Sequence, residues 1–103
     1  MFETLECGSN VQLATVCDLT RRLRHLLESD CDIEIDADNV ERVDISFIQA
    51  IEATRLQAEI EGRTLRLKAP ANAVLASTLD QSGVLWEREA ADLQFWFHQR
   101  EDA

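Results

Sequence analysis

Residues 31–37, Cys-Asp-Ile-Glu-Ile-Asp-Ala, alternate apolar and acidic side chains with period two. Ile33, Ile35 and Ala37 fall on one side and three acids on the other, the pattern of a strand with one face covered and the other at least partly wet. The segment before it follows a helical period instead. Between Val11 and Ser29, Val16, Leu19, Leu23, Leu26 and Leu27 share one face. Arg21, Arg22, Arg24, His25 and Glu28 lie off that stripe and read as solvated.

A second helix is expected over 46–61, with Gly62 at its C′ position, where a left-handed backbone carries no Cβ penalty. Its apolar residues form two groups. Phe47, Ile51 and Ala58 lie on one side; Ala53, Leu56 and Ile60 lie nearly opposite. A helix apolar on two sides is gripped by a sheet and a neighbouring helix, or by a partner. Residues 2–7 read as a short strand, Val40 and Val43 as a short connection, and Thr64–Lys68 as another alternating strand. A third helix fits 72–82, with Val74, Leu75 and Leu79 inward and Gly83 closing it. The tail, 85–103, offers a helical face in Ala90, Leu93, Phe95 and Trp96. It equally offers a strand at 93–97; the helical reading is preferred. Strands alternating with helices give an α/β fold, a sheet with crossover helices, and connections of this length favour parallel pairing of the later strands.

With 103 residues the chain is one domain, 1–103, with a single modest core. No apolar run approaches the ~20 residues of a membrane span, and the first residues lack the basic and apolar regions of a signal peptide. A cytoplasmic protein is expected. Ten basic residues stand against 20 acidic ones, a net of −10. That balance disfavours nucleic acid and anionic membrane as partners and is compatible with a basic protein or with plain solubility.

No metal site or cofactor is expected. Cys7, Cys17 and Cys31 are too widely spaced for a zinc site and read as reduced, at least partly buried thiols. Counted from Asp30, acids fall at positions 1, 3, 5 and 12 of an EF-hand-like loop, but the sixth position, which needs glycine, is Ile35. No glycine-rich phosphate loop or nucleophile elbow is present. Acid–base chemistry on the acidic strand would need a concave pocket that shifts carboxylate pKa values.

Asp32 to Gly83 carries a family resemblance. In order come Asp-Ile-Glu-Ile-Asp36, Val40-Glu-Arg-Val-Asp44, Ile45-Ser-Phe-Ile-Gln-Ala-Ile51, Ala58-Glu-Ile-Glu-Gly62-Arg-Thr-Leu-Arg-Leu67 and Leu79-Asp-Gln-Ser-Gly83-Val84. This ordered set resembles the STAS domain of sulfate transporters and anti-sigma-factor antagonists, over about 2–84. The resemblance implies a mixed β-sheet with helices packed on one face, and function through protein contact rather than catalysis.

In the anti-sigma-antagonist branch the turn after the acid carries a hydroxyl residue that a partner kinase phosphorylates, and the added charge breaks the complex. Asp44 matches that acid. The usual acceptor position is Ile45, and Ser46, one place on, becomes the phosphorylation candidate. Ser46-Phe-Ile-Gln49 also fits a capping box, and Asp44 a helix cap.

The contact surface implied is Asp44, Ile45, Ser46 and Phe47 with the outer side of the second helix, Glu52, Arg55 and Glu59. Implied partners are a histidine-kinase-like ATPase, an anti-sigma factor or a two-component or chemotaxis protein. The alternative is a cytoplasmic STAS subunit of an ABC-type lipid transporter. Trp86, Phe95, Trp96 and Phe97 read as packing on the sheet, or else as a homodimer patch.

Overall fold

The computed structural model describes residues 2–29, 31–82 and 90–98. Gly83 and Trp86, and the role expected of each, lie outside them, as do Asp30 and residues 85–89.

Among the described residues five strands and four helices run in the order β1 (Phe2–Glu6), β2 (Asn10–Val11), α1 (Leu13–Glu28), β3 (Asp32–Asp36), β4 (Arg42–Val43), α2 (Ile45–Ile60), β5 (Leu65–Leu67), α3 (Ala73–Ser82) and α4 (Ala90–Phe97). β1, β3 and β5 form one sheet in that spatial order, and β2 and β4 form a two-stranded pair. Every pairing among the described residues is parallel, as helical crossovers require. The two-residue strand β4 occupies what the sequence reads as connection, and β2 takes Val11, where the sequence places the start of the first helix; α1 begins at Leu13 instead. Both strands are too short to show a period.

Register explains the alternation. Leu5, Ile35 and Leu67 stand side by side on the face the helices cover, and all three are buried. The other face carries acids with cations set against them. Arg66 meets Glu34 at 2.8 Å and Lys68 meets Asp36 at 3.5 Å. Arg66 also lies 3.5 Å above the Phe2 ring. Two of the three acids on that face of β3 are thus paired, by Arg66 of β5 and by Lys68 just after it, and the third, Asp32, accepts the Thr64 N–H at 2.9 Å.

On the covered face, α1 buries Val16, Leu19, Leu23 and Leu27, and α2 buries Phe47, Ile48, Ile51, Thr54 and Ala58. Thr54 satisfies its hydroxyl on Ala50 O at 2.8 Å. Asn72 caps α3, its Oδ1 accepting from Leu75 N at 2.9 Å, and its amide donates to Val40 O at 2.9 Å. One side chain therefore fixes both α3 and the loop before β4. Val74, expected inward, is an exposed residue of α3; Leu75 and Leu79 supply its buried side. Of the cysteines, Cys17 is exposed, against expectation, while Cys7 and Cys31 are half-buried. Burial pushes the Cys7 thiol up to about 12, so it stays protonated and unreactive.

α2 ends in a Schellman motif. Gly62 has φ +71°, Arg63 N–H donates to Ala58 O at 2.8 Å and Gly62 N–H to Glu59 O at 3.2 Å. A Cβ at Gly62 would meet nothing within 4 Å, so its penalty is backbone conformation alone. Gly62→Ala should cost about 1 kcal/mol, read as a lower denaturation midpoint at unchanged m-value.

Candidate functional site

Two helix N-termini meet at one carboxylate. Asp44 is the N-cap of α2, in extended backbone with φ −133°. Its Oδ1 accepts the Ser46 N–H at 3.0 Å and also the Ser46 hydroxyl. Its Oδ2 accepts the N–H of Leu13, the first residue of α1, at 2.9 Å. Asp44 therefore satisfies orphan donors of both helices and sits at the positive end of both dipoles. The Ser46 hydroxyl and the Leu13 amide hold its carboxyl below the usual carboxylate range.

This geometry corrects the capping box expected over Ser46–Gln49. The helix begins at Ile45, one residue earlier, because Asp44 reaches donors on two helices and Ser46 could serve only one. Ser46 is the second helical residue, half-buried, and its hydroxyl is spent on Asp44.

Since the folded pKa of Asp44 is depressed, its ionised form favours the folded state. That stabilisation is complete above the unfolded-state value near ~4 and is lost as pH falls through the folded value. Asp44→Asn should flatten the acid limb of stability against pH, measured by urea unfolding between neutral pH and the acid transition. An unchanged limb would mean that other carboxylates carry it.

The outer face of α2 carries the second feature. At about 100° per residue, Ile45, Gln49, Ala53, Leu56 and Ile60 fall within an arc of about 80° that runs about 22 Å along the axis. Ile45 is 47 % exposed, Leu56 61 % and Ile60 70 %. Leu13, bound through its amide to Asp44, is 70 % exposed beside the same turn. The core-facing residues of α2 lie on the opposite arc. The two apolar sides read from the sequence are therefore real. The inner one meets the core, and no described element covers the outer one. A groove of about 430 Å³ between α1 and α2, lined by Thr20, Arg24, Ala53 and Gln57 among others, borders the stripe.

Phe47 is fully buried, so it anchors the core and not a contact; its place on the inner arc with Ile51 and Ala58 decides this. Glu52 and Arg55, expected on the outer side, turn toward α4. Arg55 Nη1 donates to Glu52 at 3.0 Å and to Asp92 at 3.1 Å, and its guanidinium lies 4.4 Å from the Phe95 ring centre. Trp96 Nε1 donates to Glu52 Oε1 at 2.8 Å. Glu59 is exposed beside the stripe. Phe95 and Trp96 pack edge to face, 4.9 Å between centres, inside the core. They are not available as a dimer patch, and Phe97 is half-buried against the same core. Sequence reasoning missed Leu13, whose only signal was an apolar residue off the α1 stripe.

The asymmetry between a buried inner face and an uncovered apolar outer face suits docking. Among the described residues no group of three His, Cys, Asp or Glu side chains could hold a metal ion, and no helix is long and apolar enough to cross a membrane.

Comparison with known proteins agrees with this architecture. The family model described as "Mlab, STAS domain" matches residues 3–85. Among solved structures, a sulfate transporter family protein from Wolinella succinogenes superposes with a TM-score of 0.62 at 16% identity, covering 85% of this chain and 71% of that one. At that identity the likeness speaks for the fold. No curated protein matches the chain significantly. With the family model spanning most of its length, the chain belongs to the STAS domain family.

Proposed function

We propose that this STAS domain is a non-enzymatic regulatory module that docks onto a partner protein through the outer face of α2 and the turn at Asp44–Ser46. The observation that carries the reading is the uncovered stripe of Ile45, Leu56 and Ile60. Large aliphatic side chains at the two ends of one helix face, with Gln49 and Ala53 between them and Gln57 and Glu59 on the rim, mark an interaction surface. A stripe of this length matches the apolar seam of a partner helix. Acids predominate near it, with Glu59 on α2, Glu61 at its C-cap and Glu28 at the end of α1, so a partner with basic residues flanking its seam fits best.

The partner class is a signalling protein: a kinase-like ATPase, an anti-sigma factor or a two-component protein. Ser46 supplies the switch. A phosphate there would break the hydroxyl bond to Asp44 and set about −1.5 to −2 charges beside that carboxylate. The α1–α2 junction would then loosen next to Ile45, inside the docking face. A second reading, a STAS subunit on an ABC-type ATPase, is favoured by the apolar character of the stripe, since permanent interfaces are more hydrophobic than transient ones.

The test is affinity capture from the native cytoplasm with wild type and with Leu56→Glu/Ile60→Glu side by side. A signalling ATPase or regulator lost from the double variant supports the proposal, and phosphate on Ser46 by mass spectrometry supports the switch. An ABC ATPase with an unmodified turn favours the second reading. Identical captures by both proteins would sink the docking face.

A further inference from the structure

The opposite flank of the molecule carries a second surface. β1 is an edge strand: among the described residues it pairs with β3 alone. Cys7 N–H donates to Asp36 O at 3.0 Å, which fixes the alternation of the ladder. Glu3, Leu5 and Cys7 turn their backbone groups toward β3; Thr4 and Glu6 turn theirs outward. Glu6 O is already taken, by Arg22 Nη2 at 3.2 Å. The Thr4 N–H and C=O and the Glu6 N–H remain along the rim. Such an edge is a template for another strand.

Beside that rim runs a groove of about 470 Å³, lined by Thr4, Leu5, Arg21, Arg22, His25 and Leu26. It has an apolar floor, with Leu5 buried and Leu26 half-buried, and a basic wall on α1. In a chain with 10 basic and 20 acidic residues, Arg21 and Arg22 bring two of the ten cations to this one groove, with the His25 ring beside them. Arg21 has an ion partner, Asp18 at 3.2 Å, but both side chains are about four-fifths exposed, and such a pair is easily exchanged. Glu3, on the same side of the sheet as α1, is the opposing charge at the start of the strand.

The geometry points to this rim as a strand-addition site for an extended, acidic segment of a partner protein. Its backbone pairs with Thr4 and Glu6, its apolar side chain enters between Leu5 and Leu26, and its carboxylates meet Arg21, Arg22 and His25. Strand addition draws affinity from main-chain bonds and specificity from alternate side chains, and the basic wall selects acid. A second copy of this chain is a poorer occupant. Antiparallel pairing of two β1 strands would bring two basic α1 walls together on one face of the joined sheet. The site lies away from α2 and does not depend on the docking proposed there.

The probe is an acetylated, amidated hexapeptide of alternating Glu and Val, with its Lys/Val counterpart as control, titrated into the full 15N-labelled chain. Shift changes confined to Phe2–Glu6 and Arg21–Leu26, with slowed exchange of the Thr4 and Glu6 amides, are expected for the Glu peptide and not for the Lys peptide. Arg21→Glu/Arg22→Glu should weaken binding about tenfold or more. Thr4→Pro removes an outward N–H, which an edge strand tolerates, and should abolish the slowed exchange at the remaining reporter, the Glu6 amide, while the fold's spectrum persists. Equal binding of both peptides, shifts centred on α2, or no shift at saturating peptide would each overturn the proposal.

Discussion

Trp96→Ala should lower stability by about 3–5 kcal/mol, a fall of roughly 12–20 °C in melting temperature for a domain this size. Trp96 is the largest of the fully buried side chains among the described residues. It comes from α4, whose neighbours are β5 and the polar flank of α2. Removing the indole empties that space and strips Glu52 of the Nε1–H donor. It also takes away the edge-to-face partner of Phe95. Trp96→Phe separates the contributions: it keeps much of the volume, loses the hydrogen bond and should cost about 1–2 kcal/mol. Glu52 would still be held by Arg55 at 3.0 Å. Chemical denaturation of both variants checks the order. If alanine costs no more than phenylalanine, α4 is not part of the cooperative core. Since total stability is expected at about 5–15 kcal/mol, the alanine variant approaches the limit of folding.

The second large effect is on binding, not stability. Leu56→Glu/Ile60→Glu changes residues that are 61 % and 70 % exposed, so the cost to folding should be within about 0.5 kcal/mol. On the docking face two carboxylates would replace the C-terminal apolar end of the stripe, Leu56 and Ile60, and stand unpaired against the partner. A loss of about 2–4 kcal/mol, or about 30- to 700-fold in Kd, is expected. Isothermal titration against the captured partner measures it, and urea unfolding of the same variant shows that the fold survived. Glu52→Ala offers the contrast. Glu52 serves α4 through Arg55 and Trp96, so its loss should lower stability and leave affinity nearly unchanged.

The sequence carries the architecture because its periods are local. The alternation at 31–37 and the helical stripe through Val16 and Leu27 each need only a few neighbouring residues to declare themselves, and Gly62 marks its own turn. The site was legible only in part. Ala53, Leu56 and Ile60 announced a second apolar side on α2, but what covers that side is a tertiary fact. The first residue of α2 was harder. Asp44 and Ser46 are both good caps on local grounds, and Asp44 prevails through the Leu13 amide, 31 residues earlier in the chain. Phe47 stood in the turn that the family resemblance singled out, yet its helical phase matches Ile51, and packing decided. Glu52 and Arg55 looked solvated until α4 was placed. The bond from Trp96 to Glu52 spans 44 residues, and the tail pattern at 93–97 fits helix and strand alike.

Docking through the outer face of α2 is tested most directly by site-specific photo-crosslinking in the native cells. A benzophenone side chain placed at Leu56 should yield one dominant crosslinked protein. The same group at Asp80, exposed on α3, should not, and unlabelled wild type in excess should suppress the Leu56 adduct. Crosslinks of equal yield from Leu56 and Asp80, or none from Leu56 while the partner still co-purifies, would contradict a docking face on α2.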